Sequence, residues 1–380
     1  IALSKELLIG LREYVLLRVH SRWNSPSGYI FSMTGNVTVG TCSWTDKTMI
    51  QAYYPRGVSS AEARLRYYAA RFDTVEVDST YYALPQYAHA ENWALRTPDD
   101  FTFHVKAYGL MTGHTVDERA LHPELRGYSY SVSRRGRVYN AERAMVEHAF
   151  EIFARELEPL RDAGKLGGVL LQFPPSFQAH HADERRENLR QLDYAGSLVR
   201  YLTGAEVLVE FRHPSWVEEW RAAATMRFLR ERDYCYVSVD APQFADHSTM
   251  PPITAATGPW GYVRMHGRNR QTWGAQTASA ADRFDHLYTK SELREWDEPI
   301  RTLAGETDRT WVMFNNCKYD YAPRNAAEMA SILGDVVASR THSVPSGDAV
   351  IDPDPRVPGS TPGSPERGSE ESPGQLDLGF

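Results

Sequence analysis

The chain has 380 residues, 42% hydrophobic and 24% charged, with a net charge of -7. These values suit one large globular domain with additions, and exclude wholesale disorder and nucleic-acid binding by bulk positive charge alone. Three cysteines without a C-x-x-C spacing (Cys42, Cys235 and Cys317) and no bilayer-length apolar run argue against a disulfide framework, a cysteine zinc site and a membrane span, and fit a cytoplasmic protein.

Residues 1–32 hold a helix-like apolar stretch interrupted by Glu6, Arg12, Glu13 and Arg18, unlike the uninterrupted core of a secretory signal. They are expected to be an extension upstream of a native start at Met33, with an appended amphipathic helix as the alternative. Eight β-branched or aromatic runs follow. They are Val37–Thr41, Thr74–Asp78, Phe101–Lys106, Gly168–Phe173, Val207–Phe211, Tyr234–Asp240, Gly261–His266 and Thr310–Asn315. Helical patterns lie between most of them, including Ser60–Arg71, Ala141–Ala163 and Trp216–Arg232. Eight strands alternating with helices predict an α/β fold, a single closed (β/α)8 TIM-like barrel over residues 33–340. No G-x-G-x-x-G follows the first run, which disfavours a dinucleotide-binding open sheet.

From about Thr341 the apolar periodicity stops. Residues 341–374 are rich in Pro, Gly and Ser and are expected to form a disordered acidic linker. Residues 341–380 carry seven acidic and two basic side chains, so the net charge of the rest is only -2.

Side chains alternate across a strand with period two. Glu76 with Asp78, His104 with Lys106, Glu210 with Arg212, Ser238 with Asp240, and Arg264 with His266 therefore share the face opposite the apolar one. Apolar faces suit the outer helices, so the polar faces should point inward, with their charges at the strand C-termini where such barrels build active sites. A buried neutralising network is the bland alternative. A pocket is preferred, because a barrel can be filled with Val, Ile and Leu instead.

These residues also carry a resemblance. Gly40-Thr41-Cys42-Ser43-Trp44, Ser79-Thr80-Tyr81-Tyr82, Phe103-His104-Val105-Lys106, Leu171-Gln172-Phe173-Pro174-Pro175-Ser176-Phe177, Glu210-Phe211-Arg212-His213-Pro214-Ser215-Trp216, Arg264-Met265-His266-Gly267 and Phe314-Asn315-Asn316 occur in that order. Over roughly residues 37–333 the chain resembles the YecE-like family, domain of unknown function 72. The resemblance implies a TIM-like barrel and supplies no established reaction. Two positions depart from the family pattern: Asp78 stands where an amide is usual, and Cys317 follows Asn316.

The candidate catalytic residues are Glu210, His266 and Glu76, since carboxylates with a histidine can serve as general acid and base. Lys106, Gln172, Arg212, His213, Asp240, Arg264 and Asn316 are candidate substrate-binding residues, the cations suiting a phosphate or carboxylate. The residues leave the cofactor open, with a divalent metal as one option. Ligand types for a divalent metal are present, but no H-E-x-x-H or H-x-E-x-H spacing occurs, and nearby Arg and Lys compete for the carboxylates, so no metal ligands are assigned. His114, His122, His180 and His181 read as solvent-exposed. The segment 107–140 and the loop after the seventh strand, with Arg268, Arg270 and Trp273, mix basic and aromatic residues in a way that suits phosphate contacts and base stacking.

The chain ends Gln375-Leu376-Asp377-Leu378-Gly379-Phe380. This hexapeptide resembles the short motif by which replication and repair proteins bind a DNA sliding clamp, with Gln375 in a polar subsite and Leu376, Leu378 and Phe380 offering apolar surface. Two function classes are therefore expected: a clamp-tethered enzyme acting on DNA or nucleotides, or a small-molecule enzyme acting on a sugar or phosphorylated metabolite. Sugar isomerases and apurinic endonucleases share this barrel type, which is fold-level analogy.

Overall fold

A computed structural model of the protein describes residues 36–218, 220–244, 249–273 and 280–338. The expected extension 1–32, the linker 341–374 and the peptide 375–380 lie outside them.

Eight parallel strands close a barrel: β1 (Val37–Thr41), β2 (Thr74–Val77), β3 (Thr102–Lys106), β7 (Leu166–Gln172), β8 (Glu206–Glu210), β9 (Cys235–Asp240), β10 (Trp260–Met265) and β11 (Arg309–Phe314). Around the barrel the order is β1-β11-β10-β9-β8-β7-β3-β2. The seam closes through β1 and β11, with Val37 opposite Thr310 and Thr41 opposite Phe314. The (β/α)8 expectation is met, with strand ends shifted by no more than two residues.

The polar faces do point inward. The His104 ring lies 4.5 Å from that of Trp311 and 5.1 Å from that of Tyr262, contacts that span the interior. The outward faces pack on helices such as Ala61–Ala69, Arg143–Glu156, Ala182–Thr203 and Tyr321–Leu333. Two predicted helices differ. Ala141–Ala163 is two helices, Arg143–Glu156 and Glu158–Asp162, divided at Leu157; Pro159 at the start of the second lacks the N–H that a continuous helix needs. Trp216–Arg232 shortens to Trp220–Arg230, preceded by a 3-10 turn at Pro214–Trp216. The segment 107–140 contains a three-stranded antiparallel sheet, β4 (Val116–Asp117), β5 (Ser131–Val132) and β6 (Arg137–Tyr139), ordered β4-β6-β5.

Several motifs are explained by packing. A Cβ on Gly40 would stand 2.6 Å from the Thr74 carbonyl oxygen, so β1 and β2 approach through a position that needs glycine. Trp216 donates Nε1–H to the Phe177 carbonyl at 2.7 Å and stacks with Phe177 and Phe211. Those contacts clamp the loops after β7 and β8 together at the C-terminal end of the barrel.

Candidate functional site at the barrel mouth

Arg264, on β10, is the hub of the inward-facing charges. Its Nη2 donates to Glu76 Oε1 at 2.6 Å and its Nη1 to Glu210 Oε2 at 2.5 Å, while Gln172 Oε1 lies 3.5 Å from Nη1. All three charged side chains are at most 1% exposed. Glu76 Oε2 accepts from the Tyr262 hydroxyl at 3.0 Å. Glu210 Oε1 accepts from Arg212 Nη1 at 3.0 Å and lies 3.2 Å from His266 Nε2. Burial by itself would raise the Glu210 pKa, but Arg264, His266 and Arg212 hold it well below the ordinary carboxylate range.

His266 is committed on both sides. Asn315 Nδ2 donates to its Nδ1 at 2.8 Å, which leaves Nε2 to carry the hydrogen that faces Glu210. Burial pushes its pKa down to about 3 against the pull of Glu210, so the ring is neutral at physiological pH. Gly267 then turns the chain at φ +88°, and its N–H donates to the Tyr288 hydroxyl at 2.8 Å.

Two groups at the mouth differ from this paired network, in which the buried Arg264 Nε alone lacks a hydrogen-bond partner among the buried charged side chains. Asp78 follows β2 and Lys106 ends β3, one residue beyond the paired Val77 and Val105. Both are half-buried. Among the described residues neither the Asp78 carboxylate nor the Lys106 ammonium has a hydrogen-bond or ion-pair partner. The Lys106 Nζ sits 4.4 Å from the centroid of the Tyr81 ring. Burial raises the Asp78 pKa to about 7, with Lys106 the charge that most strongly opposes the rise. Burial and then Arg264 lower the Lys106 pKa to about 8, against Glu210, Glu76 and Asp78.

The rim completes the mouth. Arg212 makes no hydrogen bond beyond that to Glu210 among the described residues, and its guanidinium lies 5.3 Å from the Trp273 ring centroid. His114, expected in solvent, is instead half-buried, packs edge-on against Tyr81 at 5.0 Å and bonds Thr112 Oγ1 at 2.9 Å. Burial, then Lys106, Arg212 and Arg137, lower its pKa to about 4, so this side of the mouth is positive.

Three of the sequence-derived site residues have other partners. Asp240 accepts from Arg268 Nε at 2.9 Å, and Arg268 also reaches Glu295. Asn316 Nδ2 donates to the His286 carbonyl and to Asn325 Oδ1. His213 bonds Ser215 and packs against His180. Asp78, placed with Glu76 on the inner face by strand parity, belongs to the mouth, as do Tyr81, Tyr262 and Asn315, which are absent from the candidate site residues. Tyr262 was visible as an inward position on the same strand as Arg264. Among the described residues no three His, Cys, Asp or Glu side chains group to hold a metal ion, and no helix is long and apolar enough to cross a membrane. A mainly apolar cavity of about 630 Å³ lies outside the barrel, lined by Val39, Phe72, Ala326 and Ala330, away from these charges.

The family described as "Protein of unknown function DUF72" matches residues 38–348, which takes in every strand of the barrel but the first residue of β1. The chain belongs to the DUF72 family. It is 28% identical over 301 residues to the UPF0759 protein YunF of Bacillus subtilis, covering 78% of this chain and 94% of that one. It is similar to the crystal structure of a DUF72 family protein of Thermotoga maritima at 29% identity and TM-score 0.60, covering 78% and 99% of the two chains. A DUF72 family protein of Enterococcus faecalis shares the fold at 24% identity and TM-score 0.61, covering 78% and 95%. The DUF72 motifs thus fall into two physical groups. Trp216 and Gly40 serve packing, while Glu76, Glu210, Arg264 and His266 form the paired network under the mouth.

Proposed function

We propose that this DUF72 protein is an enzyme that binds a small anionic molecule at the barrel mouth and works on it with Asp78 and Lys106. The observation that carries this reading is the contrast between paired and unpaired charges. Glu76, Glu210, Arg264 and His266 are enclosed and hydrogen-bonded to one another, whereas Asp78 and Lys106, each one residue beyond the paired Val77 and Val105, make no hydrogen bond or ion pair among the described residues. Groups that titrate near neutrality can give and take protons at physiological pH, and such perturbation concentrates at functional sites. Glu76, Glu210 and His266 then act as positioning residues that fix Arg264 and Arg212. Arg212 offers its remaining N–H groups to a phosphate or carboxylate, with Trp273 and Tyr81 as flanking rings.

Thermal-shift titration with phosphorylated and carboxylated metabolites tests the reading. At least one should stabilise the wild-type protein, and Arg212→Ala should weaken that ligand about tenfold or more, while Arg134→Ala on the exposed hairpin tip leaves it unchanged. No stabilising anion, or equal binding by Arg212→Ala, contradicts it.

A second reading rests on the terminal hexapeptide Gln375–Phe380. Here the barrel acts on DNA or nucleotides while its tail holds a sliding clamp, the gain being local concentration and not new contacts at the mouth. Calorimetric titration of the peptide into the clamp of the same organism should show binding that is lost when Leu378 and Phe380 are both alanine. Absence of binding, or equal binding by the double-alanine peptide, removes this reading.

A further inference from the structure

We propose that Lys106 is a nucleophilic amine that forms a Schiff base with an aldehyde or ketone bearing a phosphate or carboxylate. The proposal rests on the reading of the mouth as an anion-binding site and names the bond-forming group and the substrate class.

The first support is placement. A lysine at the end of a barrel strand, half-buried, against an aromatic face and without a carboxylate partner is held where its amine can reach a ligand in the mouth. Structural lysines of this chain look different. Lys165 donates its Nζ hydrogens to the Ala94 and Thr97 carbonyls, and Lys318 pairs with Asp282 and Asp285. The second support is composition: only six of the 42 basic residues are lysines. Arginine cannot become a neutral nucleophile, whereas a desolvated lysine can.

The third support is the surroundings. Lys106 is faced by Glu76, Asp78 and Tyr81 from β2 and the turn after it, by Glu210 from β8, by Arg264 from β10 and by His114 from the loop after β3. Glu76 and Glu210 are bound to Arg264, so Asp78 is the carboxylate open to exchange a proton with the amine. The two groups titrate near 7 and 8, so moving a proton from the ammonium to the carboxylate costs only about a factor of ten in population. That transfer leaves a free amine beside a carboxylic acid.

The step balances without an external oxidant or reductant. The amine lone pair forms a C–N bond to the carbonyl carbon as the C–O π pair moves to oxygen, which takes the Asp78 proton. The nitrogen returns a proton to Asp78, giving a neutral carbinolamine. Asp78 then protonates the hydroxyl, which leaves as water while the nitrogen lone pair forms the C=N bond. The resulting iminium acidifies the neighbouring C–H or C–C bond, and Arg212 holds the anionic end.

The test uses the full chain with pyruvate, dihydroxyacetone phosphate and uncharged acetone as probes, each with sodium cyanoborohydride, which delivers hydride to the iminium carbon. Peptide mapping then resolves all six lysines. An adduct on Lys106 forming at least about tenfold faster than on any other lysine, and lost in Lys106→Arg and Lys106→Met, supports the proposal. Asp78→Asn should slow it about 100-fold, and the rate should peak between about pH 7 and 8, where amine and carboxyl together carry one proton. Adducts spread evenly over the lysines, or none on Lys106 with any probe, overturn it. Acetone labelling Lys106 as fast as the anionic probes, with Arg212→Ala indistinguishable from wild type, keeps the amine and overturns the anion-binding reading. Circular dichroism of Lys106→Arg and Lys106→Met separates loss of the nucleophile from loss of the fold.

Discussion

Replacing Arg264 with methionine should lower stability by about 3–5 kcal/mol, the cost of leaving buried charge uncompensated. The guanidinium bridges Glu76 and Glu210, whose side chains are wholly buried. Its removal takes the counter-ion from both at once, and the Tyr262 hydroxyl and Arg212 can offset only part of that. Lysine should rescue poorly, since a point charge cannot fork between two carboxylates. Adding Glu76→Gln and Glu210→Gln to Arg264→Met should recover most of the loss, because the uncompensated charges then disappear. Urea unfolding of the single, double and triple variants measures this. A loss below about 1 kcal/mol in Arg264→Met would mean that the network is solvated.

Asp78→Asn should do the reverse above pH 7, stabilising the fold by about 2 kcal/mol after allowance for solvent screening of a half-buried group. The folded chain holds this proton up to about pH 7, whereas an unfolded chain releases it in the ordinary carboxylate range. The stabilising proton is fully in place at low pH and is lost as pH rises through 7, so stability falls across that window. Lys106 acts in the other direction. Its folded pKa is depressed to about 8, so stability recovers as pH rises from there toward the ordinary lysine value. Wild-type Tm should therefore dip between about pH 7 and 8, and Asp78→Asn should remove the acid side of the dip while matching wild type near pH 3. Equal Tm values at pH 8 would contradict this. The variant would trade activity for stability, as replacement of a strained functional group does.

The barrel was legible because buried parallel strands read as dense β-branched runs separated by helical patterns. The small sheet in segment 107–140 was not, since strands of two or three residues are too short to show a period. Parity located Glu76, Glu210, Arg264 and His266 on the inner face. Parity does not say which charges neutralise one another, so it could not separate the carboxylates bound to Arg264 from Asp78. The departure of Asp78 from the family pattern was the available signal for that residue. Asn315 and Asn316 show the same limit. They are adjacent in sequence, yet Asn315 orients His266 while Asn316 ties to Asn325 on an outer helix. His114 was misplaced because a loop histidine carries no periodicity to show that it turns back onto Tyr81.

Everything proposed for the mouth depends on Lys106 being a desolvated, unpaired amine near the Asp78 carboxyl group. The most direct test is an NMR titration of the lysine side chains, which number only six and can be assigned by single Lys→Arg variants. One signal, lost in Lys106→Arg, should titrate at about 8 and move when Asp78 is replaced by Asn. A Lys106 signal titrating in the ordinary lysine range, indifferent to Asp78, would contradict it.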